Sequence, residues 1–231
     1  MSDDVERFSP RQRAEHLVVM VLFTILCVTG LPQKFFETGW ARWTINALGG
    51  IDAVRWWHRF VGVTFTLMTA LHLLLALRQA LSGHGSFSLV PTRQDFRDAI
   101  NTIRYYLGLT NEQARFDRFD YRQKFEYWGL VMGAFIVIFS GLILLYPIQI
   151  ADWLPGEVIP AAKVMHSNEG LLAFLVVIVW HIYNAHLSPD VFPLDSSIFT
   201  GQISIERMKH EHPLEYERLM KTNAHQVKQG T

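Results

Sequence analysis

Two hydrophobic segments of the chain each carry a histidine pair at nearly the same spacing: His58 and His72 in HRFVGVTFTLMTALH, and His166 and His181 in HSNEGLLAFLVVIVWH. On an α-helix, fourteen residues turn the second position only about 40° from the first, and fifteen about 60°, over a rise of roughly 21–23 Å. Each segment therefore presents one imidazole near each face of a bilayer, turned broadly the same way. Glycine follows the first histidine of each pair by four residues, at Gly62 and Gly170. A missing side chain one turn below an imidazole leaves room for a flat porphyrin against the backbone. Imidazole is a common axial ligand of haem iron, and facing helices of a bundle are where such sites are built. These residues read as a membrane cytochrome b holding its haem without covalent attachment, because the single cysteine, Cys27, excludes both CxxCH and a Cys cluster.

The elements that must position these histidines are apolar blocks. Residues 14–31, 58–81, 127–146 and 166–187 are each long enough to cross a bilayer, which takes about 20 apolar residues. Four such blocks in 231 residues leave too little polar chain to wrap them in a soluble shell. The expected fold is an all-α integral membrane bundle of four transmembrane helices enclosing two haems b, with added interfacial and cytoplasmic helices, in one domain over residues 1–231. The leader MSDDVERFSPRQRAEH mixes acids with bases, and no small-residue cleavage site follows the first apolar run. That run is therefore expected to stay as a span.

Lysine and arginine set the expected orientation. The N-terminus, the connection between spans two and three (counted from Arg78 to Lys124) and the tail from 188 carry sixteen, against four in the other two connections, with Arg59 at the mouth of span two. Both termini and the long loop are expected to be cytoplasmic. A net charge of zero gives no sign of nucleic-acid binding. Six aromatics between Phe35 and Trp57 suit an interfacial helix, which Gly49-Gly50 ends. Phe96, Ile100, Ile103 and Leu107 have the spacing of a surface helix, and ISIERMKHEHPLEYERLMK reads as a polar helix interrupted near Pro213.

Of ten histidines, His84, His210, His212 and His225 lie in a loop or polar tail and are expected to be solvated. His16, His58, His72, His166 and His181 fall within or beside spans, where an ionisable group is costly and commonly functional. His58 and His166 share the outer level. His72 and His181 lie deeper, and His16, roughly 24 Å from the outer end of its span, reaches that same inner level. Two haems need four ligands, so the inner level holds one candidate too many.

The segments RQRAEH, VRWWHRFVG, DYRQKFEYW, SGLILLYP and HSNEG…WHIYNAH resemble the cytochrome b (gamma) subunit of membrane formate dehydrogenase. They are also similar to the cytochrome b subunits of uptake nickel–iron hydrogenases and thiosulfate reductases. The likeness runs from His16 to EHPLEYE. It implies two haems b carrying electrons between quinone and an extracytoplasmic iron–sulfur or multihaem cytochrome c partner, in the cytoplasmic membrane of a bacterium or archaeon. By family pattern His58 and His166 ligate the outer haem, and His16 and His181 the inner one. Asp120, Gln123 and Lys124 match the stretch lining the family's quinone site. The family's fourth-helix ligands are fourteen residues apart, so fifteen here calls for a local bulge or ring rotation. His72 has no formate dehydrogenase counterpart and stays open as an inner ligand, or as the ligand of a third haem. Rival readings are an intramembrane-histidine proton or metal-ion transporter, a haem transmembrane reductase with a cytoplasmic donor such as ascorbate, and a passive anchor.

Overall fold

The computed structural model describes residues 4–82, 87–189 and 191–229, with side chains described as far as residue 222. His84 and the side chain of His225 lie outside the described residues. Among the described residues, four helices are long and apolar enough to cross a membrane: α1 (Pro10–Lys34), α3 (Ile51–Leu81), α5 (Tyr121–Leu145) and the fourth span, Val158–Leu187. At most 11% of any of their apolar windows is buried. Their hydrocarbon side chains thus point outward, as a lipid solvent requires, and the helical form pairs backbone polar groups within each span. The fold is all-α apart from one short pair of strands.

All four helices begin several residues before their apolar blocks. Apolar composition marks where hydrocarbon stops, whereas i to i−4 hydrogen bonding carries the helix on into the headgroup layer. Pro10 opens α1, a position where its missing N–H costs nothing. The interfacial helix α2 (Gly39–Ala47) buries Ala41 and Ile45, one turn apart, and turns Trp40 and Trp43 outward. Gly49 and Gly50 both take φ 93°, a conformation that a side chain would strain, and so reverse the chain into α3.

The fourth span opens as α7 (Val158–Leu175) and then changes character. Val176–His181 and Tyr183–Leu187 are π-helical. The i to i+5 bonding of a π turn is in effect one residue inserted into an α-helix. This is the local bulge that the fifteen-residue spacing of His166 and His181 calls for. It turns His181 back toward the direction a fourteen-residue α-helical spacing would give.

The chain divides into two compact units. The membrane unit comprises Arg11–Gly83 and Gly129–Asp195, including the short helix α6 (Pro147–Ala151). The second comprises Met1–Pro10, His84–Trp128 and Ser196–Thr231. There, β1 (Asp4–Glu6) pairs antiparallel with β2 (Gln202–Ser204) in the register Val5 to Ile203, a pairing the sequence reading did not anticipate. The helices are α4 (Arg93–Tyr106), α8 (Ser197–Thr200), α9 (Ile205–Glu211) and α10 (Pro213–Gln229). The break at His212 falls where Pro213 was expected to interrupt a polar helix.

This unit is organised around a buried cation. Arg7, only 3% exposed, donates to Glu215 at 2.6 Å and to the carbonyl of Arg118. Arg118 also donates to Glu215, at 3.1 Å, and to the carbonyl of Arg7, at 2.6 Å. His212, expected to be solvated, is buried beside them. Its Nδ1 donates to the Asp117 carbonyl at 2.8 Å, so its Nε2 is the acceptor that faces Arg7 at 3.1 Å. Burial and the Arg7 charge push the His212 pKa down to about 4, against an ordinary value near 6.5.

Because the folded state resists protonation at His212, the unfolded chain binds more protons, and stability falls as pH drops from about 6.5 to about 4. The contribution lost is roughly 3 kcal/mol. Hydrogen-exchange protection at the paired strands, corrected for the intrinsic pH dependence of exchange, should fall as pH drops through that window in the native protein. In His212→Gln it should stay flat.

Candidate functional site

His58 on α3 and His166 on α7 face one another with ring centroids 6.1 Å apart and planes crossed at 84°. Their Nδ1 atoms are already engaged. Thr29 on α1 donates its hydroxyl to the Ile25 carbonyl at 2.7 Å, leaving the oxygen to accept from His58 Nδ1 at 2.9 Å. His166 Nδ1 donates to the Val137 carbonyl at 2.9 Å and lies 3.2 Å from Ser140 Oγ. With Nδ1 protonated on both rings, each Nε2 keeps its lone pair. A hydrogen bond on the far nitrogen selects the metal-binding one in this way.

The glycines divide into two kinds. A Cβ at Gly30 would stand 3.0 Å from His58 Cε1, and one at Gly141 would stand 3.0 Å from His166 Cε1. These two glycines seat imidazole edges, and the room they give is taken by the rings. Around Gly62 the nearest such atom is Leu26 Cδ2 at 3.9 Å, and around Gly170 nothing lies within 4 Å. The glycines that follow the histidines by four thus border open space.

At the other level, His16 on α1 faces His181 in the π-helical segment, again at 6.1 Å between centroids, with planes at 37°. His72 is placed differently: its Nδ1 is 2.9 Å from Glu15 Oε2, while Glu15 Oε1 accepts from Arg11 at 2.6 Å. The structure therefore brings His58 to His166 and His16 to His181, and sets His72 against the carboxylate next to His16.

Asp120, Gln123 and Lys124 belong to the second unit. Asp120 accepts the Gln123 backbone N–H at 2.9 Å, and Gln123 Oε1 accepts the Asp120 N–H at 3.1 Å. This reciprocal pair is a capping box that starts α5. Arg122 adds two hydrogen bonds to Asp120 Oδ2, at 3.0 and 2.7 Å. Lys124 reaches Asp95 Oδ1 at 2.7 Å, and Asp95 in turn accepts from Thr92 at the start of α4. Burial raises the Asp95 carboxyl, but hydrogen bonds from Lys124 and Thr92 outweigh it and leave the pKa below its ordinary value.

Thr29 and Ser140 are functional candidates beyond the histidines, and the sequence carries a signal for both: a hydroxyl residue directly precedes a glycine near the C-terminal end of spans one and three. Glu169 was also passed over. Its carboxylate lies over Gly133, where a Cβ would come within 2.6 Å of Oε1.

Four membrane-crossing helices with paired imidazoles at two levels define a membrane b-type cytochrome. The chain belongs to the prokaryotic cytochrome b561 family, whose sequence profile matches residues 7–201. It is similar to a protein of Escherichia coli (strain K12) described as the formate dehydrogenase, nitrate-inducible, cytochrome b556(Fdn) subunit. The two are 23% identical over 215 residues, covering 92% of this chain and 90% of the relative. The formate dehydrogenase cytochrome b556(fdo) subunit of the same organism is 25% identical over 220 residues, covering 95% of each chain.

Membership implies haem b and membrane electron transfer. The residues present fit that group. A metal–imidazole bond is about 2 Å and the nitrogen lies about 1 Å from its ring centre, so two axial imidazoles on one iron stand about 6 Å apart. Both facing pairs meet that separation.

The capping geometry has a measurable consequence. Asp120→Ala removes the α5 cap and one partner of Arg122, and should lower the stability of the solubilised protein by about 1–2 kcal/mol. Asparagine caps as well as aspartate but lacks the charge that pairs with Arg122, so thermal unfolding should place Asp120→Asn between the native chain and Asp120→Ala.

Proposed function

We propose that this chain is the membrane cytochrome b subunit of an oxidoreductase complex, carrying electrons between the quinone pool and an extracytoplasmic redox partner through two bis-histidine haems b. The observation that carries the reading is the pair of 6.1 Å imidazole separations, one at each level of the bundle. His58 and His166 hold one haem; His16 and His181 hold the other. His16 is favoured over His72 because its ring faces His181 at 6.1 Å, while His72 is engaged by Glu15.

The haem supplies one-electron chemistry, and the chain's residues hold, orient and insulate it. The lipid-facing spans keep water from the imidazole pairs. The hydrogen bonds on Nδ1 hold the outer histidines in the ligating tautomer. The excess of basic residues at the termini and the long loop supports placing them in the cytoplasm. Quinone chemistry is then assigned to the stretch Asp120, Gln123 and Lys124 near the start of the third span. Those side chains combine a carboxylate, an amide and an ammonium able to hydrogen-bond a carbonyl and exchange protons. The two Escherichia coli relatives are named as formate dehydrogenase subunits, which supports an extracytoplasmic iron–sulfur subunit as the partner.

Haem content tests the ligand assignment. His58→Ala and His166→Ala should each lose one haem per chain, and His16→Ala and His181→Ala the other, with His72→Ala retaining both. Full haem content in both the His58 and His166 variants would sink the reading. Asp120→Asn and Gln123→Glu both preserve the capping box. They should slow reduction of the haem by quinol at normal haem content; native rates in both would place the quinone elsewhere.

A further inference from the structure

We infer that Thr29-Gly30 on α1 and Ser140-Gly141 on α5 are a matched pair of positioning elements. They hold the His58 and His166 rings crossed and lower the reduction potential of the haem between them. The inference rests on the reading that these two histidines share one haem.

The same construction occurs twice. Thr29 Oγ1 bonds back to Ile25, four residues before it, at 2.7 Å, and lies 3.3 Å from Leu26, three before it. Ser140 Oγ bonds back to Ile136 at 2.5 Å and lies 3.3 Å from Val137, the equivalent positions. On each helix the histidine Nδ1 enters between the hydroxyl and the i−3 carbonyl: Thr29 and Leu26 for His58, Ser140 and Val137 for His166. The glycine after each hydroxyl then seats the ring, with a virtual Cβ 3.0 Å from Cε1 in both cases.

Serine and threonine often bond back to their own helix, and that alone would satisfy the hydroxyl. It would not explain why both are among the most buried residues of the chain, at 4% and 3% exposure, each against an imidazole nitrogen. With the hydroxyl proton committed to the i−4 carbonyl, the oxygen can only accept. The ring is held in rotation by that acceptor and in translation by the glycine surface. The rings are gripped from two different helices, and the outcome is the 84° crossing.

Two properties follow. A hydrogen bond accepted from Nδ1–H makes the imidazole a stronger donor, which favours the oxidised iron and lowers the potential. Perpendicular ligand planes leave the two iron d orbitals of π symmetry close in energy, which gives a strongly anisotropic low-spin electron paramagnetic resonance signal. The inner pair, at 37°, should give a less anisotropic one.

The test uses the full chain purified in detergent, with haem counting, potentiometric titration and electron paramagnetic resonance. Thr29→Val and Ser140→Ala should retain both haems, raise the potential of one, and reduce the anisotropy of the more anisotropic signal. Thr29→Ser should return native values. Gly30→Ala and Gly141→Ala should disturb that signal or lose that haem. Native potential and native signal in both Thr29→Val and Ser140→Ala would overturn the inference. If Thr29→Val loses haem, Thr29→Ser decides, native values supporting the inference and displaced values overturning it. His58→Ala separates the two readings. If it keeps the anisotropic signal, the ligand assignment fails; if it loses that signal while the hydroxyl variants change nothing, only the positioning role fails.

Discussion

An imidazole has two nitrogens, and inside a bilayer neither can be left to water. That constraint explains more of the membrane unit than hydrophobicity does. For His58 and His166, one nitrogen is given to a hydroxyl and a carbonyl of a neighbouring helix, and the two rings stand 6.1 Å apart between centroids. Helices one and three therefore cannot be purely apolar where they pass the rings, and each carries a hydroxyl residue followed by glycine. The outward faces are under no such demand and are covered with leucine, valine and phenylalanine.

The level of His16 and His181 solves the same problem differently. Fifteen residues of regular α-helix between His166 and His181 would leave the second imidazole turned well away from the position that fourteen would give. The π-helical stretch from Val176 absorbs the extra residue and brings His181 to face His16. π turns are uncommon and tend to occur at functional positions. Here the irregularity falls on the residue whose direction matters. His72, at the same nominal depth, is held by Glu15, one residue before His16.

The second unit is built on polar satisfaction in place of a large apolar core. Arg7, Arg118, Glu215 and His212 join the N-terminal strand, the loop and the C-terminal helices through charge-assisted bonds to side chains and carbonyls. Capping boxes start both α4 and α5, and Lys124 ties the second to the first through Asp95. Residues with the chemistry to meet a quinone are thus also residues that hold helix starts. Substitutions that keep the cap while changing the proton chemistry separate the two roles.

By itself the sequence determined the four spans, the all-α class, the spacing of the histidines along them and the facing of His58 and His166. Those properties are one-dimensional: apolar length and a constant rise per residue set depth, whatever the helices pack against. The surface helix α4, the interfacial α2 and the break before Pro213 were legible for the same local reason. Only the tertiary structure decided which ring faces His181, because rotation about a helix depends on a π turn and on a carboxylate from another span. It also assigned Gly30 and Gly141 to imidazole edges, gave Asp120 and Gln123 a capping role, and paired Asp4 with Ser204 across most of the chain. Each of these is a contact between residues far apart in sequence or a matter of side-chain direction, and neither leaves a periodic trace in the order of residues.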